Sequence, residues 1–218
     1  MEWDIRRFGE LDSTNRWLLD AARDGAPEGT VAVADHQTAG RGRLGRTWVA
    51  PPGASLLMSI LLRPRLPPER LHLATAAVAL SAAAALDDVA GFRPGLKWPN
   101  DLVVDDRKLA GVLTEIDGPN VVPGIGINVN WPPDLPDELA LIATAVNHVA
   151  GREIDRDALL VALLVHLSDR YGHWSEVAKE YRASCATLHR VVRVDLPDES
   201  FTGTAADVTD DGHLIVET

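Results

Sequence analysis

Three features of this 218-residue chain predict an α/β fold followed by a small all-β unit. Segments with helical spacing alternate with short β-branched, apolar runs between residues 13 and 184. Glycine and proline punctuate the joints between them. Beyond residue 190 the helical pattern gives way to short strands separated by Pro, Asp and Gly turns. This change sets a domain boundary near residue 187, with a larger unit over 1–187 and a smaller one over 188–218. A content of 46% apolar and 24% charged residues suits one sizeable core with a small appendage.

The elements follow in order. Ser13-Thr14-Asn15 offers N-cap chemistry for a helix to about residue 23, with Trp17, Leu18, Ala21 and Ala22 as its apolar stripe; Gly25 and Pro27 end it. Residues 30–34 read as a short buried strand, and 55–62 as a second one closed by Arg63-Pro64. Pro67-Pro68 opens a long helix over 69–87 that buries Leu and Ala. Its alanine-rich stretch 74–86 comes nearest to a membrane span, but it is short and carries Thr75 and Ser81, so it is assigned to the core. Residues 102–104 and 108–116 form a hairpin around Asp105-Asp106, followed by a strand over 121–129. Several helices fall within 138–184. The tail strands are 191–196, 201–208 and 214–216.

A formal net charge of −11 argues against a general nucleic-acid surface, which is usually basic. A lone cysteine, Cys185, cannot form an internal disulfide, which suits a reducing cytoplasm. With no leader and no long apolar run, the expectation is a cytoplasmic protein with no membrane and no nucleic-acid partner. The seven histidines have no metal-ligand spacing. His36 adjoins the loop discussed next, and Trp3, Trp131 and Trp174 are assigned to packing.

Against this acidic background, residues 40–46 hold Gly40, Gly42 and Gly45 alternating with Arg41, Arg43 and Arg46 around Leu44. Glycine lets backbone N–H groups approach a ligand, and guanidinium forks match phosphate or carboxylate oxygens. A small anion is the simplest reason for such a loop. Gly40 to Gly45 also satisfies G-x-G-x-x-G, and 40–47 approximates a P-loop. Both motifs must open a helix whose N-terminus binds the phosphate. Here Trp48-Val49-Ala50-Pro51-Pro52-Gly53 follows, which continues the loop, so both are rejected.

Four further segments stand out, each with a plainer alternative. Ser13-Thr14-Asn15 is a polar cluster or merely a helix cap. Lys97-Trp98-Pro99-Asn100-Asp101 sets a cation beside a carboxylate, or is an ordinary turn. Lys108-Leu109-Ala110-Gly111 brings a lysine and a glycine to one strand, where a solvated lysine is the common case. Gly124-Ile125-Gly126-Ile127-Asn128-Val129-Asn130 is a strand with two glycines, which marks a bulge or a ligand packed on the sheet.

Taken in order, Ser-Thr-Asn, Gln-x-Ala-Gly-Arg-Gly-Arg-x-Gly-Arg-x-Trp, Lys-Trp-Pro-Asn-Asp, Lys-Leu-Ala-Gly-Val-Leu and Gly-Ile-Gly-Ile-Asn-Val-Asn resemble the biotin protein ligases over residues 13–130. The acidic, β-rich tail resembles that family's C-terminal domain. The resemblance implies a class II synthetase-like mixed sheet flanked by helices, with an SH3-like β-barrel at the C-terminus. It implies an ATP-dependent ligase that makes biotinyl-5′-AMP and transfers biotin to a lysine of a carboxylase's biotin carboxyl carrier domain, acting as a monomer or homodimer. Catalytic roles would fall to Arg43, Lys97 and Lys108. Biotin would contact Ser13, Thr14, Asn15, Gln37, Gly40, Arg41, Gly42, Arg43, Lys97, Gly111 and Gly126. ATP would contact Arg41, Arg43, Trp48, Lys97 and Asn128, with Mg²⁺ on Asp101. Two departures bear on these expectations. Only a dozen residues precede Ser13, too few for the DNA-binding domain that many members carry, and the tail has about three strands where the family's barrel usually has more. The alternatives are a lipoate ligase or octanoyltransferase, the latter needing a nucleophilic cysteine, and a non-catalytic biotin-binding module.

Overall fold

A computed structural model describes residues 1–196 and 199–218. Its frame is a seven-stranded mixed sheet built from β1 (Asp4–Leu11), β2 (Thr30–Gln37), β3 (Ser55–Ile60), β4 (Gly95–Lys97), β5 (Asp101–Val104), β6 (Arg107–Asp117) and β7 (Asn120–Asn128). The order across the sheet is β1-β2-β3-β7-β6-β5-β4. β1 pairs parallel with β2, and the other pairs are antiparallel.

The two faces of the sheet are covered unequally. α1 (Thr14–Arg23) packs on one face through Leu18 and Ala22, which meet Ala32, Leu61 and Val122. On the other face lie α2 (His72–Ala90), α5 (Arg156–Arg170) and α6 (Trp174–Ala183), and the main core forms between them and the sheet. β2 and β3 are therefore buried from both sides, which explains their nearly continuous apolar runs. α2 is long and apolar enough to cross a membrane by length and composition, yet it is largely buried in this core, as expected for 74–86. Two short helices, α3 (Asp137–Ala140) and α4 (Val146–Ala150), connect β7 to α5. Asp155 caps α5 by accepting from the N–H groups of Asp157 and Ala158 at 2.8 and 3.2 Å.

Two strands were not expected from the sequence, the edge strands β1 and β4. In β1 the apolar residues Ile5, Phe8 and Leu11 recur every third position rather than every second, because an edge strand needs little alternation. The Asp105-Asp106 hairpin is as read, with both aspartates in the left-handed region at φ 49° and 62°. The tail forms a three-stranded antiparallel sheet in the order β10-β9-β8, from β8 (Val191–Asp195), β9 (Ser200–Val208) and β10 (Leu214–Glu217), in place of a closed barrel among the described residues. It is fastened to the larger unit by hydrogen bonds. Trp98 Nε1 donates to Gly212 O at 2.9 Å, and Arg182 Nε to Val208 O at 2.8 Å.

Candidate functional site

The sheet face that carries α1 leaves a hollow beyond the helix N-terminus, and its floor is made of glycine. Gly111 on β6 pairs with Gly126 on β7, and Gly124 lies two residues back along β7 on the same face. A Cβ at Gly124 would stand 2.0 Å from Asn15 Oδ1, and one at Gly126 2.6 Å from the Trp48 ring. The double-glycine strand is thus a floor for close approach, not a bulge. Above it opens a cleft between the sheet and the arginine loop.

Over Gly124 sits an uncharged hydrogen-bonding cluster. Ser59 Oγ lies 2.6 Å from Thr14 Oγ1 and 2.5 Å from Asn15 Oδ1. Gln37 Oε1 accepts from the backbone N–H and the hydroxyl of Thr14 at 2.8 and 3.0 Å. Asn15 Nδ2 donates to Leu113 O at 3.0 Å and to Glu115 Oε2 at 2.9 Å. Ser13 occupies the N-cap position of α1 but makes no capping bond with its side chain, so capping does not account for the Ser-Thr-Asn run.

Over Gly111 and Gly126 the lining turns cationic. The arginine loop folds back on itself as a flap: Arg41 bridges to Thr47, Gly42 N donates to Arg46 O at 2.7 Å, and Trp48 N to Gly40 O at 3.0 Å. A single 3-10 turn, Arg43–Gly45, forms its tip, with Leu44 left-handed and 88% exposed. No helix begins there, in line with the rejection of the dinucleotide and P-loop motifs. Glu115 holds the flap through a 2.9 Å ion pair with Arg41, and Arg43 Nη1 reaches Asn100 Oδ1 at 3.4 Å. Lys108 Nζ pairs with Asp101 Oδ1 at 2.7 Å and stands 5.5 Å from the Trp48 ring centroid, within cation–π range. Among the described lining residues, four cations (Arg41, Arg43, Arg46, Lys108) face one carboxylate, Asp101. The indole N–H of Trp48 is buried there without a partner.

Of the expected site residues, Ser13, Thr14, Asn15, Gln37, Arg41, Gly42, Arg43, Trp48, Asp101, Lys108, Gly111 and Gly126 all line this cleft. Three do not. Lys97 ends β4 with an exposed side chain and is not among the lining residues, although its partner across the β4–β5 pair is Asp101, which does line the cleft. Gly40 lies behind the flap, where a Cβ would meet Trp48 O at 2.5 Å. Asn128 is buried beneath the cleft, and its Nδ2 donates to Thr144 O at 3.0 Å and Lys108 O at 3.4 Å. That makes it a brace for the backbone around Lys108, with Oδ1 left unpartnered. Trp3, Trp131 and Trp174 pack elsewhere, as expected: Trp3 Nε1 donates to Leu164 O, Trp131 to Ser55 Oγ, and Trp174 packs edge-on against Tyr171.

The sequence reading missed Ser59, Asn100 and Glu115, and assigned no role to Arg46. Ser59 had a usable signal, since a serine inside a fully apolar strand must find a buried partner. Glu115 had none, because an acid near a strand end is ordinary.

Against known proteins, residues 8–132 match the Biotin/lipoate A/B protein ligase family and residues 187–218 match the Biotin protein ligase C terminal domain. The chain is 38% identical to Biotin--[acetyl-CoA-carboxylase] ligase of Mycobacterium tuberculosis, over 95% of this chain and 81% of that protein. It is 35% identical to Bifunctional ligase/repressor BirA of Bacillus subtilis, over 95% of this chain and 67% of that one. Among solved structures, biotin protein ligase from Aquifex aeolicus in complex with biotin and ATP superposes with a TM-score of 0.86 at 30% identity, covering 99% of this chain and 92% of that one. The glycine-floored cleft, the arginine flap and these matches agree: the chain belongs to the biotin/lipoate A/B protein ligase family, among its biotin protein ligases.

Proposed function

We propose that this chain activates biotin with ATP as biotinyl-5′-AMP and transfers the biotinyl group to a lysine of a carboxylase's biotin carboxyl carrier domain. One observation carries the reading: a single cleft joins an uncharged donor–acceptor cluster to a cluster of four cations. A ureido ring asks for the first, as a neutral group with both N–H and C=O to satisfy. Ser13, Thr14, Asn15 and Gln37 meet that need. A carboxylate and a triphosphate ask for the second.

Adenylation brings two anions together when the biotin carboxylate attacks the α-phosphorus and pyrophosphate departs. Arg41, Arg43 and Lys108 offset the repulsion and the charge that grows on phosphate, and Arg46 adds to the same field. Lys97, opposite Asp101 across the β4–β5 pair, is the second lysine we assign to the carboxylate and phosphate. Trp48 borders the cationic end, suited to stacking on the nucleobase. No protein nucleophile is required, and the buried Cys185 is not among the cleft-lining residues, which counts against thiol-dependent acyl transfer. The flap shields the mixed anhydride from water. In the second step a neutral lysine amine attacks the acyl carbonyl and AMP leaves.

Magnesium fits this site modestly. Asp101 is the single carboxylate in the described lining, and one carboxylate beside substrate phosphates is a usual arrangement for Mg²⁺. When bound, the ion supplies further charge neutralisation at phosphate. We assign the adenylating chemistry to residues 1–187 and an accessory role in transfer to 188–218, and infer a cytoplasmic enzyme. The test is ATP–pyrophosphate exchange with biotin, octanoate and lipoate in parallel. Exchange with biotin alone supports the reading; exchange with the fatty acids moves the chain to lipoylation chemistry. No exchange despite biotin binding leaves a binding module.

A further inference from the structure

A second cavity, with about 1120 Å³ of empty space, opens beside the cleft and shares Arg43, Asn100, Val112 and Leu113 with it. Its far wall comes from the smaller unit: the 209–213 turn, closed by Gly212 N donating to Thr209 O and Thr209 N to His213 O, both at 2.9 Å. Gly212 anchors that wall. Its carbonyl accepts from Trp98 Nε1, and a Cβ on it would stand 2.4 Å from the His72 ring. Nothing in biotin activation calls for this wall.

We propose that this cavity docks the lysine-bearing turn of the carrier domain and is the route by which its amine reaches the acyl-adenylate, an inference that rests on the ligase reading. Continuity is the first reason, since a group entering here meets Arg43 and Asn100 at the border of the cleft. Charge is the second. The cleft is cationic, whereas the described lining here has two exposed carboxylates, Glu69 and Asp211, and Arg43 as its one arginine or lysine, at the shared border. An ammonium is drawn to such a rim and repelled by the cleft's own mouth. Shape is the third. Leu71, Trp98 and a half-exposed Ile116 give apolar surface for lysine methylenes and flanking side chains.

The test reverses the rim charges in the full chain, Glu69→Lys with Asp211→Lys, and reads the two half-reactions separately. Biotin-dependent ATP–pyrophosphate exchange is expected to stay within about twofold, while KM for the carrier domain rises about tenfold or more with kcat little changed. A Glu2→Lys, Asp24→Lys protein carries the same change in net charge away from the cavity and is expected to keep the wild-type carrier KM. If reversal prevents folding, Glu69→Gln with Asp211→Asn asks the same question. A carrier KM in the rim variants equal to wild type, or matched by the distant control, overturns the docking proposal. A wild-type chain without biotin-dependent exchange overturns the ligase reading itself.

Discussion

Replacing Gly124 with alanine tests whether the cleft floor works by close approach. The new Cβ would lie 2.0 Å from Asn15 Oδ1 and 2.8 Å from Ser59 Oγ, where ordinary contact begins at 3.4 Å. Asn15 must therefore retreat by more than an ångström, stretching its 2.5 Å contact with Ser59 and its bonds to Leu113 O and Glu115. Overpacking of this kind costs roughly 1–3 kcal/mol. In a chain of this size that lowers Tm by about 2–4 °C per kcal/mol. The kinetic effect is larger, because displacing a positioning group by about 1 Å costs on the order of a hundredfold. The assay is kcat/KM for biotin in pyrophosphate exchange, beside a thermal melt. Gly9→Ala serves as the control, since nothing lies within 4 Å of its Cβ and its backbone is not left-handed. Adding Asn15→Ala to Gly124→Ala removes the closest clash, so Gly124→Ala is expected to cost less Tm in the Asn15→Ala background than in wild type, while biotin turnover stays poor. Wild-type kcat/KM in Gly124→Ala would refute the reasoning outright, and an equal loss of Tm in both backgrounds would locate the strain elsewhere.

The remaining expectations are briefer. Lys97→Ala, Lys108→Ala and Arg43→Ala are each expected to raise the adenylation barrier by about 2.7–4 kcal/mol, without a matching loss of Tm; wild-type exchange in any one of them would remove that residue from the catalytic set. Chelation is expected to stop exchange and added Mg²⁺ to restore it, with Asp101→Asn shifting the Mg²⁺ requirement upward; an unchanged requirement removes Asp101 as a ligand. The Glu180 carboxyl is held below its ordinary range chiefly by the Arg170 guanidinium that hydrogen-bonds it. A carboxyl depressed in the fold stabilises above its unfolded pKa and loses that contribution as pH falls through the folded value. Melting against pH is therefore expected to fall less steeply below about pH 4.3 in Glu180→Gln than in wild type.

Much of the fold was legible because its signals are local. Helix α1, the α2 core helix, the 105–106 turn and the three tail strands each carry their own periodicity or punctuation. β1 did not, since an edge strand paired only to β2 is chosen by the sheet rather than by its own sequence. The site was legible as a set of motifs but not as a geometry. Lys97 and Lys108 both follow plausible patterns, and the register of the β4–β5–β6 meander sets Lys97 opposite Asp101 and Asp101 opposite Gly111, in line with the cleft floor, while Lys108 reaches Asp101 through its side chain. Asn128 fell on the cleft-facing register of β7 yet is roofed over by the 142–144 segment, a contact between distant residues that no strand pattern contains. The smaller unit's contribution was likewise hidden, because the Trp98–Gly212 bond joins residues 114 positions apart.

Charge explains why one acidic chain can serve two anions and then a cation. The net −11 is spread over the surface, and at physiological ionic strength it is screened beyond about 8 Å. What a ligand meets is the local set: four cations against Asp101 in the cleft, and Glu69 with Asp211 in the neighbouring cavity. Arg43 belongs to both linings, so on the proposed function it would face phosphate during adenylation and the adenylate during transfer. Its removal should therefore depress both half-reactions, while reversal of the Glu69–Asp211 rim should depress only the second. That asymmetry follows from the shared wall alone. Were Arg43→Ala to slow adenylation and leave single-turnover transfer from preformed biotinyl-5′-AMP untouched, the two cavities would be neighbours without being successive stations of one reaction.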